Sequence, residues 1–310
     1  MPEGKLQRFL EVYSKGREMS TMKSYESSFR KLGGLCRECE LSVFRLDKGA
    51  RCLLWVEARD RRFTAASMRG ISAVISLLQE VMGEEEISSG REKTLKKALA
   101  KESNWEVKQR KREPGTWGDV KALVQEAEST NRKADWRTAA LAVVCFFGCR
   151  RMGDVVRVRV CDVTWDEDRI TVFMRKQKTD VLNEGDTFSM VAGGKGFAIR
   201  RLLEKYINNM GIRRKEALFP RNLGGGPKGE AVTYSVMYQA LEGAKERLGL
   251  EGSLTWHSFR IGWATRGTSL GVRRSVIKGA GKWKSSCVDV YCREEDAGII
   301  LSRVLVDNLE

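Results

Sequence analysis

The stretch Trp256-His257-Ser258-Phe259-Arg260, followed by Gly281-Lys282-Trp283-Lys284 and then by Tyr291, is the most informative part of this chain. It gathers a histidine, an arginine, an indole and a phenol in one short window, and His257 is the only histidine in 310 residues. Residues three apart lie on the same face of a helix, so His257 and Arg260 could both reach one phosphate. A tyrosine downstream could attack that phosphate.

Two arginines upstream supply a second basic element. Arg150 and Arg151 follow a strongly apolar helix predicted over residues 135–147. A cation beside a buried helix end is costly unless an anion compensates it, and the planar guanidinium suits two oxygens of one phosphate. Asp154 lies three residues after Arg151, where it could orient that arginine. A purely structural Arg–Asp pair is the alternative.

A lysine on a predicted β-turn supplies a third element. The segment 174–180 ends the middle strand of the predicted sheet and contains Lys176 and Lys178. A lysine whose pKa is lowered by neighbouring cations can donate a proton in catalysis. An exposed, solvated turn lysine is the alternative for this segment taken alone.

Residues 1–106 are predicted to form a helical domain. Helices are expected after the N-cap pair Ser20-Thr21 and over residues 52–59, 63–82 and 92–101. Tyr25, Phe29 and Leu32 form the expected apolar face of the first of these helices. Residues 107–115 are a charged linker that ends in a Pro-Gly breaker. The basic residues of this linker could contact phosphates, form a solvated connection or act as a nuclear address; they are Lys108, Arg110, Lys111 and Arg112.

Residues 116–310 are predicted to form a second domain, in which helices surround a small antiparallel sheet. Thr116 is the expected N-cap of its first helix. Three short strands are expected over residues 160–165, 170–174 and 187–191. Later helices are expected over residues 197–209, 233–248, 257–270, 272–279, 285–293 and 297–308. This order predicts a mainly helical α+β protein.

The composition indicates a partner with many negative charges. The net charge is +15, and both halves of the chain are basic. Such a charge favours binding to a polyanion, because each phosphate that is neutralised releases counterions. No apolar run approaches the roughly 18 residues of a membrane span, and the N-terminus lacks the apolar segment of a signal peptide. We therefore expect no membrane association and a reducing compartment.

The cysteines predict neither a disulfide scaffold nor a metal site. Eight cysteines are too dilute for a disulfide framework in 310 residues. Cys36 and Cys39 form a CxxC pair, but the chain has no second such pair, and a structural zinc site needs about four ligands. We expect no metal and no cofactor.

Taken together, these residues resemble the signature of the tyrosine recombinase (phage integrase) family. That signature is an arginine, a lysine, His-x-x-Arg, a histidine or tryptophan, and a tyrosine. Its six slots are filled in order by Arg151, Lys178, His257, Arg260, Trp283 and Tyr291. Arg151 is preferred to Arg150 because Asp154 then matches the family's Arg-x-x-Glu/Asp, and Lys178 is preferred to Lys176 because Lys-Thr-Asp recurs in relatives. The sequence around Trp283 is most similar to that of recombinases of eukaryotic mobile elements of the DIRS and Crypton kinds.

The resemblance implies a chemistry for each of these residues. Tyr291 would attack a DNA phosphate and form a 3′-phosphotyrosine, while Lys178 protonates the leaving 5′-oxygen. Arg151 and Arg260 would hold the non-bridging oxygens, His257 would assist proton transfer, and Trp283 would donate its indole N–H or pack the site. No metal is required in this scheme.

The resemblance also implies partners and a location. The helical core-binding domain and the catalytic domain would clamp duplex DNA, with the linker residues 108–112 crossing it, and a homo-tetramer would assemble on paired sites. A nuclear location follows if the host is eukaryotic. Two alternatives remain open, a type IB topoisomerase-like enzyme and a catalytically retired DNA-binding protein derived from a mobile element.

Overall fold

A computed structural model describes residues 19–82, 90–106, 113–175, 185–194, 197–224 and 229–283 of the chain. The chain divides into two compact units, Met1–Arg110 and Lys111–Glu310. The mainly helical α+β architecture predicted from the sequence is confirmed.

The first unit is helical in its described residues. Helix α1 is Met19–Glu38, α2 is Lys48–Asp60, α3 is Ala65–Met82 and α4 is Gly90–Glu106. Asp47 caps α2 by accepting a 2.8 Å hydrogen bond from the amide of Ala50. Large apolar side chains of the first three helices fill the core, where Leu54 and Trp55 of α2 are fully buried. The predicted apolar face of α1 is wrong at one position, because Phe29 is 41% exposed while Leu32 is buried.

A buried carboxylate joins α2 to α4 within this unit. Glu92 accepts a 3.0 Å hydrogen bond from the indole of Trp55 and forms an ion pair with Lys96. Burial alone would raise the pKa of Glu92, but the hydrogen bonds from Lys96 and Trp55 more than offset it, so the pKa is lowered. The carboxylate is thus held charged inside the unit.

The second unit is built around one buried helix. The helices among its described residues are α5, Trp117–Thr130; α6, Lys133–Phe147; α7, Met152–Val155; α8, Ile199–Met210; α9, Tyr234–Leu248; α10, Trp256–Ser269; and α11, Arg274–Ala280. The predicted cap of α5 is confirmed, because the Thr116 side chain accepts from the amide of Asp119 and the Asp119 carboxylate accepts from the amide of Thr116. Helix α6 is buried from Asp135 to Phe146, and α5, α8, α9 and α10 pack against it. Because other helices contact α6 on all sides, its sequence is apolar around the whole helix and not only along one face.

A three-stranded antiparallel sheet lies beside the end of α6. Its strands are β1, Val163–Trp165; β2, Arg169–Met174; and β3, Asp186–Val191, in the order β1-β2-β3. Residues 160–162, which the sequence predicted as strand, form a 3₁₀ turn instead. The Asp162 carboxylate there accepts from the amide of Arg159 and from the guanidinium of Arg175, which favours the turn over an extended ladder.

The remaining sequence predictions concern the cysteine pair, metal sites, membrane helices and the last two helices of the chain. Cys36 lies in the last turn of α1 and is buried, and burial followed by the charge of Cys39 raises its pKa. Within the described ranges, no group of three or more histidine, cysteine, aspartate or glutamate side chains could hold a metal ion. No helix in the described part of the chain is long and apolar enough to cross a membrane. The helices predicted over residues 285–293 and 297–308 lie outside the described residues.

Candidate active site

Helix α10 carries His257 and Arg260 at its N-terminal end. Its first turn is closed by Ser258, whose hydroxyl accepts a 3.0 Å hydrogen bond from the amide of Thr255. His257 is half-buried, and Arg260, one turn further along, is only 2% exposed. The predicted spacing therefore does place both residues at one end of one helix.

The backbone of the segment before α5 packs directly against this helix. The amide of Gly115 donates a 2.8 Å hydrogen bond to the carbonyl of Ser258. A Cβ on Gly262 would collide with the backbone of Gly115, so only glycine permits this approach. The contact fixes the start of α10 against a neighbouring stretch of chain.

Arg260 is held by two carbonyls and one aromatic ring. Its guanidinium donates hydrogen bonds of 3.2 Å to the carbonyl of Cys149 and 2.7 Å to the carbonyl of Gly281. The guanidinium carbon lies 4.4 Å from the centre of the Trp283 ring, a cation–π contact. Burial lowers the pKa of Arg260 to about 10, and the group remains charged at neutral pH. A buried cation held by neutral partners is well suited to receive an anion.

Arg150 is a second buried guanidinium, at the C-terminal end of α6. Its side chain lies over the ring of Phe188, with its guanidinium carbon 5.0 Å from the ring centre. Among the described residues, its Nε has no hydrogen-bond partner. Burial lowers the pKa of Arg150. Gly148 makes the packing possible, since a Cβ there would collide with the Phe188 ring.

Arg151 has a different environment from Arg150. It precedes the short helix α7, and its side chain is 40% exposed. Its guanidinium lies 3.9 Å from the Asp154 carboxylate, as the spacing of the two residues predicted. An ion pair of this length and exposure is weak.

A cavity of 210 Å³ separates the end of α6 from the turn after α11. Arg150 lines one side and Lys282 the other, whereas Arg151 is not among the lining residues. Arg260 bridges the two sides, because the carbonyls it binds belong to residues adjacent to Arg150 and to Lys282. The lining residues in the described part of the chain are Phe147, Gly148, Cys149, Arg150, Thr187, Phe188, Ser189, Trp263, Gly279, Ala280 and Lys282.

Lys282 and Asp186 are site residues that the sequence analysis did not single out. The ammonium of Lys282 donates a 2.8 Å hydrogen bond to the Asp186 carboxylate. The nearest sequence signal was the position of Lys282 between Gly281 and Trp283. Nothing in the sequence pointed to Asp186, because its partner lies 96 residues away.

The structure thus brings together part of the predicted set. Arg260 and Trp283 are in contact, His257 shares a helix with Arg260, and Arg151 lies beside the buried Arg150. Lys176, Lys178 and Tyr291 lie outside the described residues. So do the four linker candidates, Lys108, Arg110, Lys111 and Arg112.

Comparison with known protein families identifies the family of this chain. The phage integrase family model matches residues 116–297, more than half of the chain. The chain belongs to the phage integrase family. The match spans α5 to α11 and every residue of the predicted signature. No curated protein matches the chain in sequence.

Solved structures share the fold at low sequence identity. A Tn1549 transposon integrase in complex with transposon right end DNA is 10% identical, with a TM-score of 0.64 over 95% of this chain and 97% of that one. A lambda integrase dimer bound to a core site is 15% identical, with a TM-score of 0.63 over 95% and 78%. The XerH site-specific recombinase in a post-cleavage complex is 14% identical, with a TM-score of 0.59 over 85% and 73%. The fold is therefore that of the tyrosine recombinases.

Proposed function

We propose that this integrase-family protein is a site-specific DNA recombinase that cleaves and rejoins strands through a 3′-phosphotyrosyl intermediate. The observation that carries the proposal is a pair of buried guanidiniums: Arg150 lies in the cavity wall, and Arg260 donates hydrogen bonds to carbonyls on both sides of the cavity. Two buried cations, one held by backbone carbonyls and one lying over an aromatic ring, suit the charge that develops on a phosphate under attack. Membership of the family supplies the reaction type.

In the proposed reaction, the phenol oxygen of Tyr291 bonds to phosphorus as the bond to the 5′-oxygen breaks. The phenol has an ordinary pKa near 10 and must lose its proton, which His257 accepts or relays. Lys178 gives a proton to the leaving 5′-oxygen. Rejoining reverses these steps with the 5′-hydroxyl of another strand, so no external energy source is needed.

Arg260 and one of the two adjacent arginines hold the non-bridging oxygens in this scheme. The sequence spacing favoured Arg151, whereas the burial of Arg150 and its place in the cavity wall support Arg150. Trp283 keeps the Arg260 guanidinium in place through its ring face. We therefore propose Arg150 as the phosphate ligand beside Arg260.

The proposals about partner, assembly and location rest on the sequence and on structurally similar proteins. The net charge of +15 supports duplex DNA as the partner, with the basic segment 107–112 as one contact region. A lambda integrase tetramer bound to a Holliday junction, with a TM-score of 0.58 and 16% identity, supports a tetramer on paired sites. The Gly-Lys-Trp-Lys sequence at 281–284 supports a eukaryotic mobile-element origin, and with it a nuclear location. We propose that the reaction needs no metal.

The proposal is tested by trapping the covalent intermediate. Bound genomic fragments from the source organism would first be captured and sequenced to define the target duplex. A version of that duplex nicked just downstream of the cleavage position loses the short leaving strand, so the protein–DNA adduct accumulates. We expect a protease-sensitive adduct with the native protein, and DNA binding without an adduct for Tyr291→Phe. An adduct formed by Tyr291→Phe would disprove the nucleophile assignment.

The same trap distinguishes recombination from the alternative activities. A type IB topoisomerase-like enzyme would relax supercoiled plasmid that lacks the target duplex, whereas a recombinase requires the target. A retired DNA-binding protein would bind the target and form no adduct. These outcomes require the native protein, the nicked target duplex, and supercoiled plasmids with and without the target.

A further inference from the structure

One ion pair ties the two sides of the cavity together. Lys282 and Asp186 are joined by a 2.8 Å contact between Nζ and Oδ1. The same carboxylate oxygen accepts a 2.8 Å hydrogen bond from the amide of Thr187, so its orientation is fixed by the start of β3. The charge of Asp186 also acts on the nearby Arg150.

The backbone at Lys282 is strained in a way that a lysine does not favour. Its φ of 54° lies in the left-handed region, where a residue with a side chain is uncommon and glycine is the easy choice. That conformation closes the C-terminus of α11, where the amides of Lys282 and Trp283 donate to the carbonyls of Gly279 and Lys278, and a glycine would adopt it at lower cost than the lysine. Folding stability is a poor explanation for a lysine at this position, because the side chains of Lys282 and Asp186 are 51% and 23% exposed, and pairs of this kind stabilise little.

The positions of the two residues along the chain suggest what the pair is for. Asp186 is paired with Met174 across β2 and β3, so it stands at the base of the connection that contains Lys178. Lys282 immediately precedes Trp283, on the segment that leads to Tyr291. The pair therefore joins the base of the connection that carries the proposed proton donor to the segment that carries the proposed nucleophile.

We propose that Asp186 and Lys282 are positioning residues, which hold the Lys178 connection in register with the Trp283–Tyr291 segment during cleavage. The proposal rests on the proposed recombinase function. Neither residue is assigned contact with the reacting atoms. Their effect is on the delivery of a proton from the Lys178 ammonium to the 5′-oxygen as its bond to phosphorus breaks, a step that depends on accurate placement of the donor.

Two single variants remove the pair. Asp186→Asn keeps an oxygen that can accept from the Thr187 amide, and it removes the charge. Lys282→Gly removes the side chain while favouring the observed backbone conformation. Glu128→Gln is the matched control, since it breaks another exposed ion pair, with Lys205, whose lysine is also 51% exposed.

The decisive measurement compares two forms of the nicked target duplex. One has the natural oxygen at the scissile 5′ position, and the other has sulfur there. A thiol is far more acidic than an alcohol, so the sulfur leaves as a thiolate without a proton donor. Single-turnover adduct formation is measured for the native protein, both single variants, the double variant and the control, with DNA binding and thermal unfolding measured in parallel.

We expect Asp186→Asn and Lys282→Gly to slow cleavage of the oxygen substrate on the order of 10- to 100-fold. The double variant should be no slower than the slower single variant, because both remove one interaction. On the sulfur substrate all variants should cleave within about threefold of the native protein, since proton delivery no longer limits the rate. Glu128→Gln should match the native protein on both substrates.

Two results would overturn the inference while leaving the recombinase proposal intact. One is a native rate on the oxygen substrate for both single variants. The other is an equal deficit on the two substrates, which would show a general structural effect. If the native protein forms no adduct with either substrate, the proposed function itself fails, and this outcome is distinguishable from the other two.

Discussion

Replacement of Arg260 by methionine should slow cleavage about 10²- to 10³-fold while lowering the stability of the fold only slightly. Burial lowers the pKa of this guanidinium well below its ordinary value, to about 10. Each pKa unit corresponds to about 1.4 kcal/mol, so at neutral pH, below both values, keeping the charge buried costs roughly 3 kcal/mol. Methionine has a similar length, can fill the same space and carries no such cost.

The interactions that Arg260 makes offset this cost. Two hydrogen bonds to the carbonyls of Cys149 and Gly281 contribute on the order of 1 kcal/mol each, and the contact with the Trp283 ring contributes about 1–2 kcal/mol. The sum is close to the cost of burial, but methionine leaves the two buried carbonyls without their donor, so the free energy of unfolding should fall by about 1–2 kcal/mol. A domain of this size would then lower its Tm by about 2–8 °C.

The catalytic effect of the same change should be much larger. Removal of one preorganised donor to a developing oxyanion costs about 3–4 kcal/mol, which is roughly 10²- to 10³-fold in rate. Thermal unfolding followed by tryptophan fluorescence measures the change in unfolding free energy. Single-turnover adduct formation on the nicked target duplex measures the change in cleavage rate. A loss of more than about 3 kcal/mol in unfolding free energy would refute this reasoning, because Arg260 would then be a structural residue. So would a near-native cleavage rate.

Further predictions concern the surroundings of this site. Arg150→Gln should slow cleavage by about 10²-fold or more, whereas Arg151→Gln should change it by less than about fivefold in the same assay; the opposite order would restore the assignment based on sequence spacing. Gly281→Ala should slow cleavage at least tenfold, because the added Cβ collides with the ring of Trp283, and a native rate would show that this ring need not stay in place. Tyr206→Phe removes a buried 2.8 Å hydrogen bond to a carbonyl and should cost about 1–2 kcal/mol in thermal unfolding with no effect on cleavage. DNA affinity measured by fluorescence anisotropy should fall about 10³-fold or more between 50 and 200 mM salt, and a flat salt dependence would contradict phosphate-dominated binding.

The fold was largely predictable because its elements carry strong local signals. The apolar residues of α6 run without a break, and the cap at Thr116 has the required acid three residues later. Strand periodicity identified β2 and β3 to within one residue. The error at residues 160–162 arose because the side chain of Asp162 turns the backbone there, and its partner Arg175 lies beyond the local window.

Within the described part of the candidate site, local spacing was predictable from the sequence, and the arrangement of the side chains was not. The spacing of His257 and Arg260 is a local property of a helix, and the sequence reports it directly. Which of two adjacent arginines faces the cavity depends on the backbone after α6, where Cys149 has a φ of 50°. That conformation turns the chain sharply, and neither helix nor strand periodicity predicts it. The Asp186–Lys282 pair is a long-range contact and has no local signal at all.

The glycine contact between the stretch before α5 and the first turn of α10 has a practical consequence for anyone who wishes to express the second unit by itself. The family match begins at residue 116, which would be the natural place to cut. A fragment cut there would lose Gly115, and with it the hydrogen bond to Ser258, the residue next to His257. A fragment starting at residue 113 or earlier would keep that bond. The functional boundary of this unit therefore lies upstream of residue 116, where the family match begins.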